Sequence, residues 1–147
     1  MLLNIKKYVD RPEIRELLSY SVFPDPEELE LAVLEYKNNP DLQLGGLESE
    51  KEIIAVIGYR HVEEGTIEVK HLAVRPDCRG AGFGRGLLLE LIAKEKPKRI
   101  VAETDEETVE FFRNVGFEIR SLGEKFPGAE KFLCSFQTEV QEEAGDD

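Results

Sequence analysis

The sequence has few of the residues that form covalent cross-links or metal sites. Its 147 residues include no tryptophan, two histidines and two cysteines. Cys78 and Cys134 lie far apart and have no CxxC spacing, which gives no disulfide framework and argues against a metal site. We therefore expect two reduced thiols and no metal ion.

Long apolar runs are also missing. No stretch approaches the roughly 20 residues that a helix needs to span a bilayer. The first residues, Met1 to Lys7, show neither the apolar segment nor the cleavage site of a signal peptide. We expect a chain without a membrane segment and with a cytoplasmic location.

Basic residues are fewer than acidic residues. Nineteen lysines and arginines stand against 31 aspartates and glutamates, which gives a net charge of −12. Nucleic acids and anionic membranes are therefore poor partners for the body of the protein. A field of this sign would raise the local concentration of cationic ligands such as amines, unless the acidic residues serve solubility alone.

The hydrophobic periodicity predicts the element order β-α-α-β-β-β-α-β-α-β-β, and hence an α/β fold with an α+β mixed sheet and helices on its faces. The predicted strands are residues 2–9, 42–47, 52–61, 66–74, 99–102, 117–122 and 131–138. The predicted helices are 10–20, capped by Asp10, 25–36, one from the glycine run to Lys96, and 105–115, followed by Gly116. We expect a single domain over residues 1–140 and an acidic mobile tail over 141–147.

The most informative stretch is Arg79-Gly80-Ala81-Gly82-Phe83-Gly84, between a predicted strand and a predicted helix. Three glycines at alternate positions allow consecutive N–H groups to turn toward one anion, and the helix adds its own unpaired N–H groups there. The spacing does not fit a dinucleotide G-x-G-x-x-G fingerprint, and no lysine completes a Walker A loop. The run predicts a site for a phosphate or pyrophosphate.

The pattern R-x-x-G-x-G in this run, preceded by Leu72-Ala73-Val74-Arg75-Pro76, resembles the GNAT superfamily of acyl-CoA N-acyltransferases. A second block, residues 109–117 (VEFFRNVGF), is similar to the family helix that ends in Y-x-x-x-G-F. The resemblance implies the GNAT fold with acetyl-CoA as cosubstrate. It also implies contacts of Leu72, Ala73 and Val74 with the pantetheine and acyl end, and of Arg79, Gly80, Ala81, Gly82, Phe83 and Gly84 with the pyrophosphate.

Two positions depart from the family pattern. Phe112 stands where the family has the tyrosine that protonates the thiolate, so the proton must come from water or another side chain, such as Tyr20, Tyr36 or Tyr59, or be unneeded. We still expect Phe112 to pack against the pantetheine. Asp105 falls where many relatives have an asparagine that bonds the pantetheine. The alternative, which we favour, is that Asp105 caps the following helix.

For the general base, the resemblance indicates Glu68, which matches a position where some family members carry a catalytic glutamate. Its alternative is a solvent-facing strand residue beside Lys70. His71 titrates in a suitable range, but strand alternation sends it to the opposite face, which favours a core or cofactor-side histidine.

These observations predict an N-acetyltransferase that moves an acetyl group from acetyl-CoA to a primary amine, of a small molecule or a peptide, by direct attack in a ternary complex. Two alternatives stay open: a CoA-binding sensor or interaction module with little catalysis, and a nucleotide-binding protein with an unusual loop. The C-terminal strands could also pair across a homodimer.

Overall fold

The computed structural model describes residues 1–22 and 25–138, and for Lys125 and Phe126 the backbone alone. The predicted tail, 141–147, lies outside the described residues. The helices are α1 (Pro12–Ser19), α2 (Pro26–Asn38), α3 (Phe83–Glu95) and α4 (Val109–Asn114). The strands are β1 (Leu3–Asn4), β2 (Gln43–Ser49), β3 (Glu52–Glu63), β4 (Thr66–Val74), β5 (Arg99–Asp105), β6 (Glu118–Phe126) and β7 (Ala129–Gln137).

The strands form a seven-stranded mixed sheet in the order β1-β2-β3-β4-β5-β7-β6. β4 and β5 pair in parallel, with Glu68 opposite Val101, and α3 lies between them in the chain as the crossover helix. The pairs β1–β2, β2–β3, β5–β7 and β6–β7 are antiparallel. The prediction of an α/β fold with a mixed sheet is confirmed.

The chain divides into two compact units, of which the first comprises residues 1–60 and 70–95. Its core forms because α1 and α2 each carry an apolar stripe at helical spacing, with Leu17 on α1 and Val33 on α2. These stripes pack against inward-facing residues of the strands, among them Leu44, Val56 and Ala73.

The second unit comprises residues 61–69 and the segment from 96 onward. β7 pairs with β5 on one side and β6 on the other, and the amide of Thr138 donates to the carbonyl of Lys98 at 3.0 Å. Its buried apolar residues include Ile67, Ile100, Phe112 and Cys134. Whether the chain behaves as a single domain stays a prediction. None of the described helices has the length and apolar character that a bilayer crossing requires.

The first predicted strand, 2–9, is wrong in length. Only Leu3–Asn4 pairs with β2, and a 3₁₀ turn follows at Lys6–Tyr8. The buried residues are Leu2, Ile5 and Val9, whose spacing of three and four is that of a helical turn rather than of a strand.

Asp10 does not cap the first helix, because Arg11 takes the N-cap position with Pro12 in the first turn. The carboxylate of Asp10 forms ion pairs with Arg15 and Lys37 instead. Asp25 is the N-cap of α2, and its side chain accepts a hydrogen bond from the Glu27 amide at 2.9 Å.

The last hairpin is longer than predicted. The predicted strands end at residue 122 and resume at 131, but β6 continues to Phe126 and β7 begins at Ala129. Backbone pairing extends to Phe126 and Ala129, with register shifts that accommodate the irregular stretch.

Candidate functional site

The predicted anion-binding run lies between the end of β4 and the start of α3. The amide of Arg75, directly after β4, donates to the carbonyl of Ile54 at 2.8 Å, and a 3₁₀ turn follows at Pro76–Cys78. The chain then passes through Arg79–Gly82 into α3, whose first backbone hydrogen bond joins the Gly86 amide to the Gly82 carbonyl at 2.9 Å. A strand, a turn and a helix N-terminus therefore occur in immediate succession.

Two of the glycines are required by backbone conformation. Gly80 and Gly82 have φ values of 84° and 87°, in the left-handed region that other residues rarely adopt. A Cβ added at either position would meet nothing within 4 Å, so open space adjoins the turn. Gly84 lies in the first turn of α3, where N–H groups have no acceptor within the helix. Backbone donors, the positive end of the helix dipole and free volume coincide here.

Arg79 anchors the turn to its surroundings. Its Nε donates to the carbonyl of Val74 at 2.9 Å, and its guanidinium lies over the ring of Tyr20 at 5.1 Å. The Tyr20 hydroxyl donates to Glu16 at 2.9 Å, and this hydrogen bond raises the pKa of Tyr20. The arginine side chain thus holds the last turn of α1 against the end of β4.

The segment Leu72-Ala73-Val74 follows the alternation of a strand. Ala73 is buried in the core beneath α1 and α2, whereas Leu72 and Val74 are half-buried on the other face. Next in the chain, Arg75 forms ion pairs with Glu52 at 2.6 Å and Asp77 at 2.7 Å. These contacts raise the pKa of Arg75 and fix the exit of the strand.

Glu68, Asp105 and Phe112 belong to the second unit. Glu68 is half-buried on β4. Asp105 is the last residue of β5, and its carboxylate accepts a hydrogen bond from the Thr108 amide at 3.1 Å. The favoured prediction that Asp105 caps the helix is wrong, because α4 begins only at Val109 and Thr108 is its N-cap. Asp105 instead stabilises the turn that precedes the helix.

Phe112 belongs to an aromatic cluster. Its side chain is 3% exposed, and its ring meets Phe111 and Phe117 edge-on at centroid distances of 5.2 and 5.0 Å. Phe117 stacks in turn on Phe136 at 5.3 Å. Gly116, with φ of 103°, ends α4 as predicted, and its amide donates to the Arg113 carbonyl.

The three tyrosines considered as proton donors all form hydrogen bonds through their hydroxyls. The hydroxyl of Tyr20 contacts Glu16, that of Tyr36 contacts His71 and that of Tyr59 contacts Glu95. The pKa of each is raised: that of Tyr20 mainly by its hydrogen bond, and those of Tyr36 and Tyr59 mainly by burial. A raised pKa makes each phenol a weaker acid than tyrosine in water.

His71 forms a contact that the sequence does not reveal. Its Nδ1 lies 2.6 Å from the hydroxyl of Tyr36, which is fully buried on α2. Its side chain therefore lies on the α1 and α2 face of β4, as alternation predicts. Burial lowers the pKa of His71 to about 4, so the imidazole is neutral at physiological pH. A glycine inside a strand, Gly58, indicates a close approach at that position but does not identify the two residues that meet.

A cleft of about 670 Å³ opens in the first unit, where α1 approaches the turn between β2 and β3. Tyr20 and Arg75 line it, but the predicted cofactor residues 72–74 and 79–84 do not. Among the described residues, no group of three histidines, cysteines or carboxylates is arranged to hold a metal ion.

The family model for the acetyltransferase (GNAT) domain matches residues 42–119, more than half of the chain. The chain belongs to the GNAT family. It is therefore an acyl-CoA-dependent N-acetyltransferase. It is also 29% identical, over 91 residues, to the uncharacterized N-acetyltransferase in the lysA 3′ region of Bacillus methanolicus, covering 62% of this chain and 76% of the relative.

Solved GNAT structures share the fold. An acetyltransferase of the GNAT family from Desulfovibrio desulfuricans superposes with a TM-score of 0.76 at 20% identity, over 87% of this chain and 92% of the other. A GNAT acetyltransferase from Elizabethkingia anophelis with acetyl-CoA bound gives a TM-score of 0.65 at 20% identity, over 83% and 88% of the chains. The predicted GNAT fold is confirmed.

The turn from Arg79 to Gly84 has the features of an anion-binding site. Its left-handed glycines, open Cβ positions and helix N-terminus suit a pyrophosphate, which needs several N–H donors at one place. This turn belongs to the first unit, as do residues 72–74, Tyr20 and His71. The other predicted site residues, Glu68, Asp105 and Phe112, lie in the second unit.

Proposed function

We propose that this GNAT enzyme transfers the acetyl group of acetyl-CoA to a primary amine, of a small molecule or a peptide, by direct attack in a ternary complex. The observation that carries the proposal is the glycine turn at the N-terminus of α3, directly after β4. Its amides would hold the pyrophosphate, and the strand residues Leu72, Ala73 and Val74 would accompany the pantetheine and acyl end. Strand N–H groups near Val74 are suited to polarise the thioester carbonyl.

The charge of the protein supports an amine as acceptor. With a net charge of −12, the chain attracts cations and repels anions at low ionic strength. An amine must lose its proton to attack a thioester, so a base is required. We propose Glu68, a half-buried carboxylate on the strand that leads to the acyl segment, acting directly or through one water.

Phe112 removes the usual source of the thiolate proton, since a phenyl ring has none to give. We propose that it packs against the pantetheine and that water protonates the thiolate, which is a good leaving group. Asp105, when ionised, only accepts hydrogen bonds and would meet an N–H of the pantetheine. The cytoplasmic location and a homodimer formed through the C-terminal strands stay predictions from the sequence.

The test measures release of CoA thiol from acetyl-CoA with a panel of small primary amines and one peptide. We expect amine-dependent release, weakened in Gly82→Ala because alanine disfavours the left-handed turn. Gly128→Ala is the matched control, since Gly128 has φ of 78° and open surroundings but lies in the β6–β7 turn.

Two results would contradict the proposal. Binding of CoA without thiol release, for every acceptor tested, would indicate a CoA-binding sensor. A thermal melt in which ATP or NAD stabilises the chain more than CoA does would indicate a nucleotide-binding protein.

A further inference from the structure

Tyr36 and His71 form a buried hydrogen-bonded pair between α2 and β4. The two side chains are 35 residues apart in sequence, and their atoms Oη and Nδ1 lie 2.6 Å apart. The rings are tilted by 49° with centroids 5.5 Å apart, so the contact is made by the polar atoms rather than by stacking. Tyr36 is fully buried, and His71 keeps partial exposure.

The backbone of β3 is shaped to admit this pair. A Cβ added at Gly58 would lie 1.5 Å from the Tyr36 hydroxyl oxygen, so any other residue there would displace the hydroxyl. The tyrosine thus occupies space that a strand side chain normally fills. A glycine inside a strand usually weakens a sheet. Here the glycine leaves room for the close approach of the Tyr36 hydroxyl.

The position of the proton follows from the surroundings. A buried phenol needs an acceptor for its O–H, and Nδ1 of a neutral imidazole provides one. Burial and the neighbouring Lys70 both disfavour a positive charge on His71, while burial and Glu35 disfavour a negative charge on Tyr36. With Nδ1 accepting from Tyr36, the single imidazole proton resides on Nε2.

We propose that Tyr36 is a positioning residue that holds His71 as a neutral imidazole with its proton on Nε2, and that His71 offers this N–H to the acceptor substrate. The acceptor would then be an amine that also carries a hydrogen-bonding oxygen, such as an amino alcohol or an amino-acid amide. This inference rests on the proposed function. His71 directly precedes Leu72-Ala73-Val74, the segment proposed for the acyl end, and a neutral ring there does not repel a cationic amine.

The proton position can be measured without any turnover. The chain contains only His61 and His71, so ¹⁵N spectra of the imidazoles are simple, and His61→Gln assigns the remaining signals to His71. We expect the neutral Nε2–H form of His71 throughout the range from about pH 5 to 8. Tyr36→Phe should shift the Nδ1 resonance and raise the pKa of His71, because the neutral form loses its donor. A charged ring or an Nδ1–H form in the unsubstituted protein would refute the role of Tyr36.

The role toward the acceptor is tested with two variants of His71. Glutamine can place an N–H near the former Nε2, whereas leucine offers none. For ethanolamine, we expect kcat/KM to fall about tenfold or more in His71→Leu and to be largely retained in His71→Gln, the effect of one hydrogen bond in a desolvated site. For propylamine, which has no oxygen to accept this N–H, the loss in His71→Leu should be much smaller than for ethanolamine.

Controls separate this inference from the proposed function. CoA affinity and the melting temperature are measured for each variant, so that lost folding is not read as lost recognition. Equal losses in both His71 variants, or equal losses with both amines, would overturn the role of His71 toward the acceptor. Failure of the unsubstituted protein to release thiol with any amine would overturn the proposed function and this role with it, while the ¹⁵N spectra would still decide the role of Tyr36.

Discussion

Gly58→Ala is the substitution with the sharpest structural consequence. The new Cβ would lie 1.5 Å from the Tyr36 hydroxyl oxygen, whereas ordinary contacts begin at 3.4 Å. The hydroxyl must therefore retreat by about 2 Å, which breaks its 2.6 Å hydrogen bond to His71. Breaking a buried hydrogen bond costs about 1–3 kcal/mol, and overpacking a core costs a similar amount. We expect a loss of about 2–6 kcal/mol, a large share of the ~5–15 kcal/mol stability of a typical domain.

A double-mutant cycle with Tyr36→Phe identifies the cause, with urea-induced unfolding as the assay. Phenylalanine removes the oxygen but leaves the ring carbon Cζ 2.7 Å from the new Cβ, so part of the overpacking remains. In that protein, Gly58→Ala should cost only about 1–3 kcal/mol, because no hydrogen bond is left to break.

Gly86→Ala is the matched control. Gly86 lies in α3, and its added Cβ would meet only Leu47, at an ordinary 3.8 Å. This alanine should stabilise the chain by about 0.5–1 kcal/mol. The reasoning is refuted if Gly58→Ala costs the same with and without the Tyr36 hydroxyl, or less than about 1 kcal/mol in the unsubstituted chain.

Three further substitutions test the site and its surroundings. Gly82→Ala meets no atom but must hold φ near 87°, so we expect about 1–2 kcal/mol of strain and roughly 5- to 30-fold weaker CoA binding by calorimetry; an unchanged Kd would show that the turn does not bind CoA. Phe112→Ala should lower the free energy of unfolding by about 3–5 kcal/mol, and a loss below ~1 kcal/mol would contradict the aromatic packing. The pKa of Asp10 is lowered chiefly by its hydrogen bond with Lys37. The ionised carboxylate therefore stabilises the folded protein above pH 3.8, and this stabilisation is lost as the pH falls through the lowered pKa of the folded state. The stability difference from Asp10→Asn should shrink on acidification, and a difference that grew would reverse this sign.

The central part of the chain is predictable because its determinants are local. The strand β4, the glycine turn and α3 follow one another directly. The glycines that adopt left-handed φ values lie next to the start of the helix in the sequence, so a local pattern is enough to predict both. The parallel pairing of β4 with β5 follows from the same order, since a strand, a helix and a strand fold by a crossover.

The errors have different physical origins. The first predicted strand is too long because the apolar residues Leu2, Ile5 and Val9 have the spacing of a helical turn. The predicted cap at Asp105 is wrong because aspartate suits a helix cap and a turn equally well. The Tyr36–His71 contact depends on tertiary packing, which brings α2 over β4 and which no local pattern encodes.

If the glycine turn binds CoA as proposed, its attraction acts over a short range, and this governs how the anionic ligand reaches it. Backbone amides and the guanidinium of Arg79 supply positive charge locally, while the chain as a whole carries −12. At low ionic strength a polyanion such as CoA is repelled on approach and attracted only within the last few ångströms. Salt shortens the Debye length to about 8 Å at 0.15 M. The encounter rate of CoA should therefore increase with added salt, the reverse of the behaviour of a basic phosphate-binding protein.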